Sequence, residues 1–196
     1  MIVGITGGLG CGKSTAARAL AGRGFRRLDS DQIVRDVVLT DPEVISALRA
    51  RYGEAVIGWV DGREVVNRPV LAARIFERDE ERRWLEDLTH PRVFATWRRE
   101  FALAPDARWA VEVPLLHEKG LENWFDFTVC VACAPAQQLA RLEQRGLPRV
   151  LAGQRISKQL PLARKIELSD FVLWNGGSAR FLEAQVDRLA TALSAA

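Results

Sequence analysis

Eight residues near the amino terminus have the types and spacing of a phosphate-binding loop. The segment GGLGCGKS, from Gly7 to Ser14, matches the pattern G-x-x-x-x-G-K-S/T and lies between a β-rich run, MIVGIT, and a helical pattern, KSTAARALAGRG. Glycines allow the backbone to turn successive N–H groups toward one anion at the positive end of a helix. The pattern predicts that Lys13 reaches the β- and γ-phosphates of a nucleotide and that Ser14 ligates the Mg²⁺ bridging them. The alternative is a glycine-rich turn that contains a lysine by accident.

The three cysteines allow both a structural and a chemical interpretation. Cys11 lies inside the glycine-rich segment, where a small side chain is enough, although the start of a helix also favours a reactive thiolate. Cys130 and Cys133 form the string CVAC, which on spacing alone is half a zinc site or a redox pair. No second Cys pair or His pair completes a zinc site, and Cys130 lies within the apolar run FTVCVACA. We therefore predict that Cys130 and Cys133 pack in the core and that the Cys11 thiol is incidental.

A phosphate loop identifies a phosphoryl donor and leaves the reaction open. A GTP-dependent switch would carry an aspartate-x-x-glycine element and an asparagine-lysine-x-aspartate string, and neither occurs in the sequence. A motor would need a longer chain and a coupling partner. These features favour a kinase that phosphorylates a small molecule. A nucleotide-dependent regulatory or binding protein is the alternative from another class.

A kinase also needs a carboxylate beside the acceptor hydroxyl, and the string LDSD offers Asp29 and Asp31 at the end of the second predicted strand. A parallel sheet presents the carboxyl ends of its strands at one edge, where ligands bind. We assign to Asp31 the role of hydrogen-bonding the acceptor hydroxyl and taking its proton as the phosphoryl group transfers. The alternative is that both aspartates start a helix, with Asp29 as its cap.

Two arginines are candidates for closing on the nucleotide. Arg141 and Arg145 lie one helical turn apart in APAQQLARLEQRG, so both guanidinium groups can face one polyanion. Phosphoryl transfer spreads negative charge over the γ-phosphate oxygens, and a closing lid can deliver positive charge while it expels water. Further cations follow in the same part of the chain: Arg149, Arg155, Lys158, Arg164 and Lys165. This concentration of charge favours a lid, and two solvated arginines are the alternative.

The elements that must position these residues alternate between strands and helices. Strands are predicted at MIVGIT, FRRLDSD, RWAVEV (108–113), FDFTVCVA (125–132) and DFVLW (170–174). Val-rich strands that alternate with helices, without hairpin dipeptides between them, predict an α/β fold. In this fold a parallel sheet of about five strands is covered by helices on both faces.

The helix boundaries follow from capping residues and prolines. Asp41 and Pro42 have the types of an N-cap and a first helical residue, and a turn is predicted at DGRE. Because proline disfavours a helix interior, Pro91 is expected to divide the helical pattern of residues 68–104 into two helices. A closing helix is predicted from about Ser178, with four apolar residues at core spacing: Leu182, Val186, Leu189 and Leu193.

The composition limits the class of protein. The chain of 196 residues and 21.9 kDa has the size of one domain, with room for an inserted subdomain. Its 48% hydrophobic and 27% charged residues are typical of a globular protein, and no window holds the ~18 apolar residues of a membrane span. The net charge of +3 is spread along the chain, which suits a polyphosphate ligand better than nucleic acid. We recognise no secretion signal, so we expect a cytoplasmic protein without nucleic-acid or membrane partners, and a monomer, with a weak oligomer as the alternative.

Several motifs occur together in an order and spacing that resemble those of the dephospho-CoA kinase family. They are GITGGLGCGKST, LDSDQIVR, DGREVVNRPVLAARIF, LTHPRV, EVPLLHEKG, the Arg141 and Arg145 pair, RISKQLPLARK and SDFVLWNGG. The phosphate loop is shared with many enzymes. The His-Pro pair, the Pro-Leu-Leu-x-Glu element and the Asp-Phe-Val-x-x-Asn-Gly run are far more particular to this family, and the resemblance covers nearly the whole chain.

The resemblance implies transfer of the γ-phosphate of ATP to the ribose 3′-hydroxyl of dephospho-coenzyme A, the last step of coenzyme A synthesis, with Mg²⁺. It implies one P-loop kinase domain over residues 1–196, a helical acceptor-binding subdomain at about 41–105 and a lid at about 136–165. ATP would bind at Gly10, Cys11, Gly12, Lys13, Ser14, Thr15, Arg141, Arg145, Asn175 and Gly176. The acceptor would bind at Asp31, His90, Leu115, Leu116 and Glu118, with Asp31, Lys13 and Arg141 acting in catalysis. Another small-metabolite or nucleoside monophosphate kinase is the alternative within the enzymes.

The residues of the family motifs leave several roles open when they are considered without the resemblance. His90 immediately precedes Pro91, at what we expect to be a helix amino terminus, where it either meets the substrate or satisfies backbone groups. Leu115 and Leu116 either line an apolar wall for the ligand or belong to the core.

Three further side chains lie on or just after the strand RWAVEV. Glu112 is a candidate for holding a Mg²⁺-bound water, and Glu118 is a candidate for hydrogen-bonding the substrate or the lid. His117 is expected to lie at the surface.

Overall fold

A computed structural model describes residues 1–194, excluding the side chains of residues 76 and 77. The chain divides into two compact units. The first comprises Met1–Asp29 and the chain from Asp106 onward, and the second comprises Ser30–Pro105.

The strands and helices are numbered in chain order. The strands are β1 Ile2–Gly7, β2 Phe25–Asp29, β3 Ile57–Val60, β4 Arg63–Val66, β5 Arg108–Glu112, β6 Phe127–Ala132 and β7 Phe171–Trp174. The helices are α1 Lys13–Ala21, α2 Ser30–Asp36, α3 Pro42–Tyr52, α4 Arg68–Glu77, α5 Asp79–Leu103, α6 Pro135–Gln144, α7 Arg149–Ser157, α8 Leu162–Leu168 and α9 Ala179–Ser194. Short 3₁₀ turns occur between several of these elements.

The first unit contains a five-stranded parallel sheet with the strand order β2-β5-β1-β6-β7. The central strand β1 pairs with β5 on one side and with β6 on the other, so Ile5 lies between Glu112 and Val129. Because all five strands are parallel, their carboxyl ends lie at one edge of the sheet. The predicted α/β fold is therefore confirmed, with strand bounds within three residues of those expected.

The alternating side chains of β1 show how helices cover both faces of the sheet. Val3 and Ile5 are fully buried in a core with residues of α1 and α9. Gly4 points to the other face, where an added Cβ would lie 2.7 Å from Phe125 and 2.8 Å from Leu116. Helix α8 also packs against β1 and β6. The closing helix is confirmed, and its four predicted core residues are all buried.

The second unit consists of helices α2 to α5 and a two-stranded hairpin. Asp41 caps α3 as predicted, since its carboxylate accepts a hydrogen bond from the N–H of Glu43 at 2.8 Å. Ile45 and Leu48 are buried on one face of this helix, and Tyr52 is half-buried.

The hairpin of β3 and β4 is a feature that the sequence analysis missed, because we expected only a turn at this position. The strands pair antiparallel, with Val60 opposite Arg63. Asp61 and Gly62, between them, have φ angles of 51° and 73°. An Asp-Gly pair favours these left-handed conformations and is a recognised hairpin signal, so the string VDGR contained the information.

The prediction that Pro91 divides the helical pattern is wrong. Helix α5 runs without a break through Pro91, so His90 lies inside this helix and not at its amino terminus. The helix continues because residues beyond the proline are buried: Val93 is 4% exposed and Trp97 is 1% exposed. Their burial stabilises the helix by more than proline costs it, a case of packing that overrides local propensity.

No helix within the part of the chain that the structure describes is long and apolar enough to cross a membrane.

Candidate active site

The phosphate loop has the predicted geometry. It connects β1 to α1, and Gly7, Gly10 and Gly12 have φ angles of 139°, 79° and 95°. Space also restricts these positions, since a Cβ on Gly7 would lie 2.1 Å from the carbonyl oxygen of Val131. Helix α1 begins at Lys13, and the N–H groups of the first turn of a helix are suited to binding an anion.

Lys13 lies across the loop that precedes it. Its Nζ donates hydrogen bonds to the carbonyl oxygens of Gly7, at 3.3 Å, and Gly8, at 3.2 Å. The ammonium charge is therefore held at the loop, where the phosphates of a bound nucleotide would lie.

Ser14 contacts a buried carboxylate at the end of β5. Its hydroxyl donates to Oε2 of Glu112 at 2.7 Å, and Glu112 is only 3% exposed. The other oxygen, Oε1, accepts from Nε of Arg27 at 2.7 Å, and Arg27 also bonds Asp29 at 2.9 Å. The arrangement brings together a hydroxyl and a carboxylate, oxygen ligands of the type that Mg²⁺ prefers.

Two side chains from other elements fix the shape of the loop. Gln138 of α6 donates to the carbonyl oxygen of Leu9 at 2.9 Å. Asn175, directly after β7, donates through its amide to the carbonyl oxygen of Cys11 at 2.8 Å. Asn175 is 8% exposed and its backbone N–H donates to the carbonyl oxygen of Ala132 at 2.7 Å, so the loop is braced from the end of β6.

The two arginines that were predicted to act together have different surroundings. Arg141 donates from Nη2 to the carbonyl oxygen of Asn175 at 2.9 Å, and its buried Nη1 has no hydrogen-bond partner among the described residues. Gln137, also in α6, donates from its side-chain amide to the carbonyl oxygen of Gly176 at 2.8 Å. Arg145 follows the last residue of α6 and is exposed. Of the two arginines, Arg141 hydrogen-bonds the loop of Asn175 and Gly176, whereas Arg145 is exposed beyond the end of α6.

The cysteines are structural, and the prediction of core packing for Cys130 and Cys133 is confirmed. All three thiols are at most 1% exposed, and the Sγ atoms of Cys11 and Cys133 lie 3.4 Å apart. Burial, followed by the neighbouring Cys133, raises the pKa of the Cys11 thiol to about 12, and burial raises that of Cys130 to about 11. The alternative of a reactive Cys11 thiolate is therefore contradicted. Within the described residues no group of three or more His, Cys, Asp or Glu side chains could hold a metal ion.

The segment after β5 is more buried than its sequence suggests. His117 was expected at the surface, but its side chain is wholly buried. Its Nδ1 lies 2.8 Å from Glu122 and its Nε2 lies 3.0 Å from Ser169, so polar partners compensate its burial. Leu116 is fully buried beside Gly4, which makes it a core residue, while Leu115 is half-buried.

Glu118 forms a buried ion pair that the sequence analysis missed. Nζ of Lys165 lies 2.8 Å from Oε1 of Glu118, and Lys165 is 0% exposed although we counted it among the cations of the lid. The same Oε1 accepts from the N–H of Leu160 at 3.0 Å. The spacing of Leu162, Lys165, Ile166 and Ser169 along one helical face is a signal that could have revealed the burial. A contact between Glu118 and the substrate remains a prediction.

Asp31 and His90, the two remaining predicted acceptor residues, belong to the second unit. Asp31 lies exposed in the first turn of α2. The ring of His90 lies 5.8 Å from that of Phe94, one turn further along α5.

A parallel sheet with a glycine-rich loop, a lysine over that loop and a serine beside a buried carboxylate defines a P-loop nucleotide-binding protein. Comparison with known proteins identifies the family. The model of the dephospho-CoA kinase family matches residues 1–180. The dephospho-CoA kinase of Thermosynechococcus vestitus is 41% identical over 188 residues, which are 95% of this chain and 91% of the relative. The chain belongs to the dephospho-CoA kinase family and is an ATP-dependent kinase.

Solved structures agree with this fold. The crystal structure of TT1252 from Thermus thermophilus is similar with a TM-score of 0.83 at 32% identity, covering 98% of this chain and 97% of that chain. The dephospho-CoA kinase of Campylobacter jejuni has a TM-score of 0.72 at 21% identity, covering 98% and 96% of the two chains. Because the Campylobacter jejuni protein is only 21% identical, its similarity supports the fold alone.

Proposed function

We propose that this protein transfers the γ-phosphoryl group of ATP to the ribose 3′-hydroxyl of dephospho-coenzyme A, giving coenzyme A and ADP. The observation that carries the proposal is the match of the family model to residues 1–180, on a chain whose phosphate loop has the required geometry. The reaction is the last step of coenzyme A synthesis.

The donor half of the site is formed by the phosphate loop and its neighbours. Lys13 is positioned to stabilise the β- and γ-phosphates, and the loop glycines present backbone N–H groups. Ser14 and Glu112 would hold Mg²⁺, Ser14 directly and Glu112 directly or through water, and their 2.7 Å contact supports this assignment. When bound, Mg²⁺ neutralises charge on the transferring phosphoryl group. Asn175 and Gly176 form the loop that we place beside the adenine.

The acceptor half rests on Asp31 and on the helical unit that follows it. Asp31 comes two residues after β2 ends, and β2 ends at the same edge of the sheet as β1. Its carboxylate accepts the proton of the 3′-hydroxyl during transfer. We propose that the predicted subdomain at about 41–105 binds the acceptor, with His90, Leu115 and Glu118 as contacts.

Positive charge from the predicted lid at about 136–165 completes the site. Arg141 already contacts Asn175, so it requires a smaller movement than Arg145, which lies beyond the end of α6. Both arginines act on the γ-phosphate as charge develops. The residues of the lid after α6 carry out the closure.

The decisive experiment measures ADP release after addition of dephospho-CoA to the purified protein with ATP and Mg²⁺, with mass spectrometry to identify the product. Lys13→Ala serves as the inactive control. We expect multiple turnovers and coenzyme A as product, at a rate far above that with AMP, other nucleoside monophosphates or shikimate. A folded protein that binds ATP and turns over none of these acceptors would support a regulatory role, and turnover of another acceptor would identify a different kinase. Fractionation would check the cytoplasmic location, and size-exclusion chromatography would check the monomer.

A further inference from the structure

A chain of hydrogen bonds connects the phosphate-loop strand to the far end of the predicted lid. The hydroxyl of Thr6, in β1, donates to the carbonyl oxygen of Pro114 at 3.3 Å. The same oxygen accepts from Nζ of Lys165 at 2.8 Å. Lys165 pairs with Glu118 at 2.8 Å, and Glu118 accepts from the N–H of Leu160 at 3.0 Å. The path therefore starts one residue before the loop and ends in the lid.

The part of the lid between its two attachments buries little apolar surface of its own. We call residues 146–161 the lid segment. Within it α7 buries only Ala152, whereas Val150 is 73% exposed and Leu151 is 46% exposed. Gly146, with a φ of 81°, turns the chain after α6. Helix α6 is fixed to the phosphate loop through Gln138, and Leu160 is fixed through Glu118, so both ends of the segment are held.

The ion pair is costly for a purely structural contact. Burying two charges removes them from water at a large cost, and apolar residues of similar volume are often equally stabilising or better. Lys165 is 0% exposed, and the Glu118 side chain is 16% exposed. Unlike an apolar pair, the Glu118 carboxylate can accept a hydrogen bond from the backbone of the lid segment, and this contact points to a positional role.

We propose that Glu118 and Lys165 are positioning residues that fix Leu160 as the hinge on which the lid segment closes. Lys165 orients the carboxylate of Glu118, and the carboxylate holds the backbone of Leu160 at a constant position relative to β1. The cations of the segment then reach the γ-phosphate in one defined geometry. The inference rests on the proposed kinase function, because it assumes that closure brings the lid to the phosphates.

The test compares two double variants that both lack the buried charges. Glu118→Leu with Lys165→Met removes the acceptor for the Leu160 N–H, whereas Glu118→Gln with Lys165→Met keeps an oxygen there. Both should melt within a few degrees of the wild type, because an apolar or neutral pair replaces the ion pair. Lys165→Met alone should melt well below them, since it leaves a buried carboxylate without its cation.

The two double variants should differ in turnover. We expect the variant with leucine to lose roughly tenfold to a hundredfold in kcat, because misplacing a catalytic group by about 1 Å has effects of this size. Its KM for ATP should change by less than about threefold, since the phosphate loop is untouched. The variant with glutamine should recover most of kcat. Asp187→Asn, which breaks the exposed Arg23–Asp187 pair in the same unit, is the control and should keep wild-type turnover.

Amide hydrogen exchange tests the position of Leu160 without any substrate present. The Leu160 amide should exchange faster in the leucine variant than in the glutamine variant and the wild type. Equal kcat in both double variants, or equal exchange at Leu160, would overturn the proposal. A wild-type protein that does not phosphorylate dephospho-CoA would instead refute the proposed function, and the exchange comparison would still decide whether Glu118 fixes Leu160.

Discussion

The negative charge of Glu112 should determine how tightly the site binds Mg²⁺. Its two oxygens have different partners, Ser14 on one and Arg27 on the other. Glu112→Gln keeps the shape and loses the negative charge beside the proposed Mg²⁺ position. We expect the Mg²⁺ concentration for half-maximal turnover to rise about 10- to 100-fold, the usual effect of losing a metal-supporting carboxylate. Titration of turnover with Mg²⁺ at saturating ATP measures it.

The matched control for this prediction is Asp29→Asn. Asp29 also bonds Arg27, at 2.9 Å, and so shares this arginine with Glu112. If Asp29→Asn changes the Mg²⁺ concentration for half-maximal turnover only slightly, the effect of Glu112→Gln is due to the charge beside Ser14. If Asp29→Asn raises this Mg²⁺ concentration as much as Glu112→Gln does, the effect is due to the orientation of Arg27.

Asp31 allows a separate test of the acceptor chemistry. Asparagine fills the same space as aspartate but cannot take a proton, so Asp31→Asn should lower kcat by about 10² to 10⁴ with little change in ATP affinity. Steady-state turnover and calorimetric titration with ATP measure the two quantities. An Asp31→Asn enzyme with wild-type kcat would remove this residue from the chemistry.

Individual residues were predictable where their partners are close in sequence. The phosphate loop is a continuous string, and its glycine angles follow from local geometry, so Lys13 and Ser14 were assigned correctly to the loop. The burial of Lys165 depends on Pro114, 51 residues earlier, and the contact of Ser14 with Glu112 spans 98 residues. Such contacts are set by strand order, which the sequence pattern alone does not reveal.

At the scale of elements, Pro91 within α5 leads to a prediction about stability. Proline removes one backbone hydrogen bond and strains the preceding turn, and Pro91 itself is exposed, so its ring contributes little packing. Pro91→Ala should therefore raise the free energy of unfolding by about 1 to 3 kcal/mol. Urea unfolding followed by circular dichroism measures the change. A decrease would show that the ring is needed for packing, which its exposure argues against.

The contact between α3 and α5 should depend on pH. Arg51, followed by Tyr52, hydrogen-bonds Glu81 and lowers the pKa of that carboxyl from 4.5 to about 2. Because the folded pKa is depressed, the contact stabilises the protein above about pH 4.5, and the contribution is lost as the pH falls toward 2. Glu81→Gln should therefore melt below the wild type at pH 7, and the difference should shrink at pH 3. A difference independent of pH would exclude this ionisation as its cause.

Helices and strands were predicted well where the local sequence pattern determines the structure, and poorly where packing against other elements determines it. Four of the five strands of the sheet are mainly apolar runs that contain valine, β2 is the charged exception, and all five lie where expected. The unbroken α5 depends on Val93 and Trp97, whose burial is a property of the folded unit and not of the local sequence.

At the scale of the whole molecule, the cysteines are confined to one of the two units. Cys11, Cys130 and Cys133 all belong to the first unit, and the sequence from Ser30 to Pro105 contains none. Each thiol is at most 1% exposed. A thiol reagent can therefore modify the folded protein only after the first unit opens, which makes labelling a measure of the opening of that unit.

In the proposed reaction ATP binds the phosphate loop of this unit, and it should therefore suppress the opening of the unit. A ligand present at 100 times its Kd stabilises the folded state by about 2.7 kcal/mol, which reduces the open population about a hundredfold. We expect the labelling of all three thiols by Ellman's reagent in dilute urea to slow by a similar factor when ATP is added. Lys13→Ala, which weakens the phosphate contacts, should show much less protection at the same ATP concentration. Rapid modification of one thiol per chain in native buffer would contradict the burial of Cys11, and with it the packing of Cys11 against Cys133 that helps to shape the loop.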